Sequence, residues 1–224
     1  MTEIPGVHAI TLDFVAAHVL ETPAGRILVD TGLPYTADTL TAELARSGGM
    51  PDLVVLTHAH GDHVGGLGAL GGIPVAAHSA DADLLAEGRV SRPMVPAAHC
   101  PEDLREMIQG PPMTIEPLHV DIRLEGGQAV PGFEDVQVIH TPGHSAGHIS
   151  LLWEHAGGVL VLGDAAANQG QLTGPPVAED LELADASLRR IAELPFESAV
   201  FGHGAPITSG AGAAFAAVWA PASA

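Results

Sequence analysis

The chain has 224 residues, 27 acidic side chains against 8 basic ones, and a formal net charge of −19. Phosphate backbones are bound by clustered Lys and Arg, so nucleic acid and polyphosphates are not expected partners. All the basic residues are arginine, so chemistry through a lysine Schiff base is excluded.

The length predicts a single domain, residues 1–224, and 46% hydrophobic content is that of a globular chain. Residues 8–21 (HAITLDFVAAHVLE) and 25–30 (GRILVD) read as strands separated by the turn Thr22-Pro23-Ala24-Gly25. ADTLTAELAR (37–46) has helical spacing and ends at Ser47-Gly48-Gly49. LVVLT (53–57) is the continuous apolar run of a strand buried on both faces. VGGLGAL (64–70) predicts a short helix, IPVAAH (73–78) a strand, and SADADLLAE (79–87) a helix with Ser79 as its N-cap. Residues 88–117 are proline-rich and aperiodic, an irregular excursion of the length that lids adopt. Further strands are expected at 136–140, 148–154, 158–164 and 198–203, with an amphipathic helix at 178–194 and a short one at 210–219.

No window reaches the 18 apolar residues of a membrane span, so no membrane association is expected. The N-terminus MTEIPGVHAI has neither a charged n-region nor a long apolar core, so no signal peptide is expected. One cysteine, Cys100, cannot form an internal disulfide, which fits a cytoplasmic protein.

The polar residues concentrate where the apolar runs stop. THAHGDH (57–63) places His58, His60, Asp62 and His63 within six residues, and DTG, TPGH, GDAA and FGHG add Asp30, His144, Asp164 and His203 at other strand ends. In extended chain, positions two apart point the same way, so His58 and His60 can bind one ion. Gly61 permits a turn that swings Asp62 and His63 to the other side of the same hollow. A helix starting there directs its positive end at the carboxylate. Imidazole and carboxylate donors suit zinc, iron or manganese better than calcium.

This ordered set resembles the metallo-β-lactamase superfamily over residues 7 to about 208. The resemblance implies an α/β fold, a four-layer αβ/βα sandwich of two mixed sheets flanked by helices, with a metal site at one edge. By motif position, one ion would take His58, His60 and His144, a second Asp62, His63 and His203, and Asp164 would bridge them; Asp30 would orient ligands. Two divalent ions, zinc first with iron or manganese compatible, would carry a bridging water that becomes hydroxide near neutral pH and attacks a carbonyl carbon. Asp62 would pass a proton to the leaving group.

The branch within the family follows from departures. Dedicated β-lactamases with a cysteine ligand lack a residue matching Asp164, and here Cys100 lies in the irregular loop; promiscuous β-lactam hydrolysis stays open. Flavo-di-iron proteins carry glutamate where this chain has His60. The tRNA-processing nucleases need a basic surface. Glyoxalase II shares all seven ligands but has a glutathione-binding C-terminal domain, whereas 21 residues follow His203 here. The quorum-quenching lactonases resemble this chain in TPGHSxGH and in size, but place a tyrosine where this chain has Ala167; the one tyrosine here is Tyr35. Persulfide dioxygenases use a single iron, held by residues matching His58, His144 and Asp164. The expectation is therefore a binuclear hydrolase of a small ester, lactone or thioester. The alternatives are a mononuclear iron persulfide dioxygenase and a non-catalytic metal-binding module.

Of the remaining histidines, His78, His140 and His148 are candidates to support ligands or line the site, and His18 reads first as a half-buried strand residue and second as a residue of the site's rim. His8, His99, His119 and His155 read as surface residues, with His99 also placed to enter a pocket from the loop. Met94, Met107 and Met113, with Pro93, Pro96 and Pro111, fit either an apolar pocket wall or a self-packed loop. Arg189 and Arg190 read as solvated, and Cys100 as an inert small hydrophobe. The apolar stretch AAFAAVWAPA (213–222) fits either a core helix or a homodimer contact.

Overall fold

The computed structural model describes residues 3–89, 92–110 and 114–220. In the first sheet the strands lie in the order Val7–Leu12, Val15–Thr22, Gly25–Val29, Leu53–Val55, Val75–His78, Ile122–Leu124. The first three are antiparallel and the rest join in parallel. The second sheet runs Ser198–Val200, Val159–Val161, Ile149–Trp153, Phe133–His140, Ala129–Val130. It is antiparallel except for the parallel pair of Val159–Val161 with Ser198–Val200.

Two-residue periodicity in strands buried on both faces divides the apolar residues among three cores. Ile27, Val29, Leu53 and Val55 point between the sheets, where they meet Val136, Val138, Leu151, Val159 and Val161. Leu28 and Val54 point outward to Leu40 and Leu44 of the helix Ala37–Arg46. On the far side Leu160, Ala199 and Phe201 pack on Leu188 and Ile191 of the helix Leu181–Ile191 and on Phe215 and Trp219 of the helix Ala211–Trp219. Helix, sheet, sheet, helix is the expected four-layer sandwich. At one edge the two sheets are bonded together, by Ala16 N–H to the Gly202 carbonyl (2.8 Å) and Ile149 N–H to the Thr57 carbonyl (2.9 Å).

Several local expectations are corrected. Residues 8–21 form a hairpin rather than one strand, because Asp13 takes the left-handed conformation (φ 69°) and Leu12 pairs back onto Val15. Aspartate tolerates that region, and a two-residue loop is the tightest hairpin connection. The helix Ser79–Ala86 is capped by His78, not Ser79: the His78 side chain accepts from Ala80 N–H. Residues 61–70 hold two short helical pieces, Gly61–Val64 and a 3-10 turn Leu67–Leu70. The 88–117 excursion contains a helix, Glu102–Met107, and a two-residue strand, Val95–Pro96, paired with Val177–Ala178. The helix expected at 178–194 is shorter, starting after Asp180, whose carboxylate caps Leu183 N–H at 2.9 Å. The strands Ile122–Leu124 and Ala129–Val130 were not anticipated.

Ala211–Trp219 is a core helix on its Ala211, Phe215 and Trp219 face, with Val218 exposed. Residues 221–222 of that stretch, and Pro111 and Met113 of the proposed apolar wall, lie outside the described residues. Among the described residues, no helix is long and apolar enough to cross a membrane.

Candidate metal centre

The chain segments leaving Gly25–Val29, Leu53–Val55, Val159–Val161 and Ser198–Val200 carry Asp30, residues 58–63, Asp164 and His203 to one edge. His144 arrives there from the loop before Ile149–Trp153. His144 Nε2 lies 3.2 Å from His58 Nε2 and 3.0 Å from His60 Nδ1. His144 Nδ1 donates to the Val177 carbonyl at 2.8 Å, so its Nε2 presents a lone pair to the other two rings. Two ring nitrogens this close to His144 Nε2 need a shared cation or proton to relieve the repulsion of their lone pairs.

A second group adjoins it. His203 Nε2 stands 3.4 Å from Asp62 Oδ2 and 3.2 Å from Asp164 Oδ2, and His63 Nε2 is 3.3 Å from Asp164 Oδ1. Asp164 Oδ2 is also 3.6 Å from His144 Nε2, so one carboxylate touches both groups. Ligand atoms of His58, His60 and His144 lie within 4.8 Å of one another, as do those of His58, His63 and Asp164, and those of Asp62, His63 and His203. His63 Nε2 and Asp164 Oδ1 are buried without a hydrogen-bond partner. Orphaned buried polar atoms are uncommon in native folds, and a bound cation satisfies both. The donor set therefore fits divalent metal.

The outer nitrogens are held by the scaffold. Asp30 accepts from Thr57 N–H on Oδ1 (2.8 Å), and from Thr57 Oγ1–H and His63 Nδ1–H on Oδ2 (both 2.8 Å). With its proton committed to Asp30, Thr57 Oγ1 accepts from His58 Nδ1–H at 3.0 Å. One buried carboxylate thus sets the tautomers of His58 and His63, leaving Nε2 of each inward. His203 Nδ1 donates to the Phe14 carbonyl at 3.0 Å. Fully buried His148 accepts Asp164 N–H on Nε2 (3.0 Å), so its Nδ1 carries the proton and donates to Thr141 Oγ1 (2.8 Å). Gly202 passes close by: a Cβ there would collide with the Asp164 carboxylate and sit 2.8 Å from His63 Cε1.

Comparison with known proteins places the chain in a family. The family model of the metallo-β-lactamase superfamily matches residues 10–203. The chain belongs to that superfamily. It is 30% identical over 227 residues to the probable metallo-hydrolase YflN of Bacillus subtilis (strain 168), covering 91% of this chain and 85% of that protein. It is 31% identical over 223 residues to an N-acyl homoserine lactonase of Bacillus cereus, covering 84% and 80%. Among solved structures, a subclass B3 metallo-β-lactamase of Bradyrhizobium japonicum shares the fold at TM-score 0.67 and 23% identity, covering 91% of this chain and 76% of that one. The chain is a metal-dependent hydrolase of the metallo-β-lactamase superfamily, and the family implies that it binds divalent metal.

Without metal, the candidate site divides electrostatically. Burial disfavours a charged His203, but the Asp164 carboxylate and hydrogen bonds to Asp164 and Asp62 outweigh it and raise its pKa to about 10. Burial also opposes a charge on His63, yet Asp164, Asp30 and Asp62 hold its pKa well above the usual imidazole value. Burial and the neighbouring His144 push His60 down to about 3, and burial with His63, His60 and His144 holds His58 well below its ordinary value. A raised histidine pKa means that the imidazolium stabilises the metal-free fold below the unfolded value of 6.5, and that this contribution is lost as pH climbs toward 10. Metal competes with those protons in the same window. Zinc uptake near pH 7 should therefore release at least two protons per chain, those of His63 and His203. Titration calorimetry in buffers of different ionisation enthalpy measures the count; buffer-independent heats would contradict it.

The structure separates the other candidates. His18 is buried, its pKa lowered to about 4 by burial and by His63 nearby. His78 stacks on His140 with ring centroids 4.1 Å apart, and His140 Nε2 donates to the Ala146 carbonyl. Of the two histidines flanking His144, His148 is the one whose ring touches the site, through Asp164. Tyr35 is exposed, its hydroxyl donating to Asp13 at 2.7 Å, beside the hairpin turn that carries Phe14. His99 bonds to the Gly174 carbonyl, and His155 stacks on Trp153. Arg189 pairs with Asp185 on the surface. Asp81, Thr57 and Thr141 were missed, because a helical aspartate and two strand-end threonines carry no local signal of the loops they tie.

Proposed function

We propose that this hydrolase holds two divalent ions, zinc for preference, and cleaves a small neutral ester, lactone or thioester. Asp164 carries the reading: its two oxygens reach His63 on one side and His203 and His144 on the other. His58, His60 and His144 would hold one ion, Asp62, His63 and His203 the other, and Asp164 both. When bound, such a pair supplies a Lewis acid and a water acidified to near neutral pH. The chain's own residues do the rest. Asp62, held ionised with a pKa of about 2 because His63 and His203 outweigh the cost of its burial, would accept the proton that the attacking water gives up and pass it to the leaving atom, oxygen in an ester or lactone and sulfur in a thioester. Asp30 and His148 keep the ligating groups oriented. A lactone is the first substrate class to test, because a relative 31% identical is an N-acyl homoserine lactonase. The net charge of −19 supports a neutral substrate over a polyanion and a protein without nucleic-acid partners. The single cysteine supports a cytoplasmic setting.

Elemental analysis of protein expressed without added metal, followed by a panel of lactones, thioesters and β-lactams, tests the reading. The expected result is about two ions per chain, zinc foremost, and lactone or ester hydrolysis that a chelator abolishes and zinc restores. One iron per chain with oxygen consumption on persulfides would replace it with the dioxygenase reading.

A further inference from the structure

Asp81 lies fully buried outside the candidate ligand set, yet it joins the loops that carry three of its members. Its Oδ2 accepts from Ala59 N–H (3.1 Å), between His58 and His60, and from Ser145 Oγ–H (3.0 Å), next to His144. Its Oδ1 accepts from Gly147 N–H (3.1 Å) and from Arg92 (3.2 Å). The same Arg92 nitrogen is 3.2 Å from Glu179 Oε1, and the other terminal nitrogen donates to the Ala80 carbonyl at 2.8 Å. Glu179 in turn accepts from Ala146 N–H on Oε2 (2.9 Å), and its own N–H donates to the His144 carbonyl (3.1 Å). One guanidinium from the 88–117 excursion therefore neutralises two carboxylates that both hold residues 144–147.

The second group is held differently. His63 leans on Asp30, and His203 on the Phe14 carbonyl. No described contact runs from Arg92 to either.

We propose that Arg92 is a positioning residue that sets the His58/His60/His144 metal position selectively, through Asp81 and Glu179. The inference rests on the two-position reading above. Without the guanidinium, a fully buried carboxylate and a mostly buried one share a site uncompensated. They repel each other, which loosens the loop that aims His144 Nε2 at its partners. Lysine keeps the charge but cannot bridge two carboxylates and a carbonyl with one planar fork, so it restores only part of the effect.

The test is a competitive zinc titration of the metal-freed full chain against a chromophoric chelator. Arg92→Met and Arg92→Lys are each made in three backgrounds: wild type, His203→Ala to read the first position alone, and His144→Ala to read the second. In the His203→Ala background Arg92→Met should weaken zinc by about 10- to 100-fold, with Arg92→Lys in between. In the His144→Ala background neither should change it. Equal weakening of both positions, or of neither, overturns the proposal. If Arg92→Met does not fold, Arg92→Lys decides alone: loss confined to the first position supports the proposal, and no loss or a uniform loss overturns it. A wild-type chain that takes up one ion only refutes the two-position reading instead, a result distinct from two wild-type ions with no selective loss.

Discussion

Asp164→Ala is expected to lower bound metal to one ion or fewer per chain and to abolish turnover. The carboxylate lies within 3.6 Å of ring nitrogens in both histidine sets, so under the proposed two-ion reading its removal would take a ligand from each position at once. The metal-free fold suffers as well. His63 and His203 are held protonated chiefly by Asp164, and His63 is wholly buried. Removing one partner of a buried ion pair costs about 3–5 kcal/mol, here reduced by Asp62 and Asp30, which remain. Elemental analysis, lactone hydrolysis and thermal unfolding of the chelator-treated variant check the three effects. Two ions retained with activity near wild type would remove Asp164 from the centre of the mechanism.

Asp30→Asn is expected to weaken metal binding by about 10- to 100-fold, with activity partly recovered at saturating zinc. Both carboxylate oxygens of Asp30 face donors: Thr57 N–H on one, Thr57 Oγ1–H and His63 Nδ1–H on the other. An amide NH2 in either place meets an N–H or O–H head-on, so the side chain must turn or His63 must change tautomer. Asparagine also suits the backbone, which is left-handed at this residue (φ 62°). Alanine would add strain there and confuse the two causes. Chelator-competition affinities and zinc-dependent rates measured together decide it; unchanged affinity would show that the carboxylate's charge is not what orients His63.

The architecture was largely legible because short apolar runs such as LVVLT and GVLVLGD are buried on both faces, and such burial leaves a plain mark in composition. The hairpin at Asp13 was not, because VAAHVLE continues the apolar character of HAITL and the break lies in one backbone angle. Residues 122–130 escaped because no continuous apolar run marks them: Arg123 interrupts the apolar residues of one strand and Glu125 ends them, and the other strand is two residues long.

The candidate site divides along the same line. Histidines and aspartates closing apolar runs, in a fixed order, were sufficient to name the candidate ligands and the family they resemble. Which ring nitrogen faces inward, and what holds it there, was beyond any local pattern. Asp30 serves His58 through Thr57, His148 supports Asp164 through its backbone N–H, and Asp81 with Arg92 ties residue 59 to residues 145 and 147. Side-chain chemistry and strand burial are properties of a residue and its immediate neighbours, so the sequence by itself determined the layers and the candidate metal-binding groups. Orientation depends on hydrogen bonds between segments tens of residues apart, and those partners exist only once the two sheets have closed on each other.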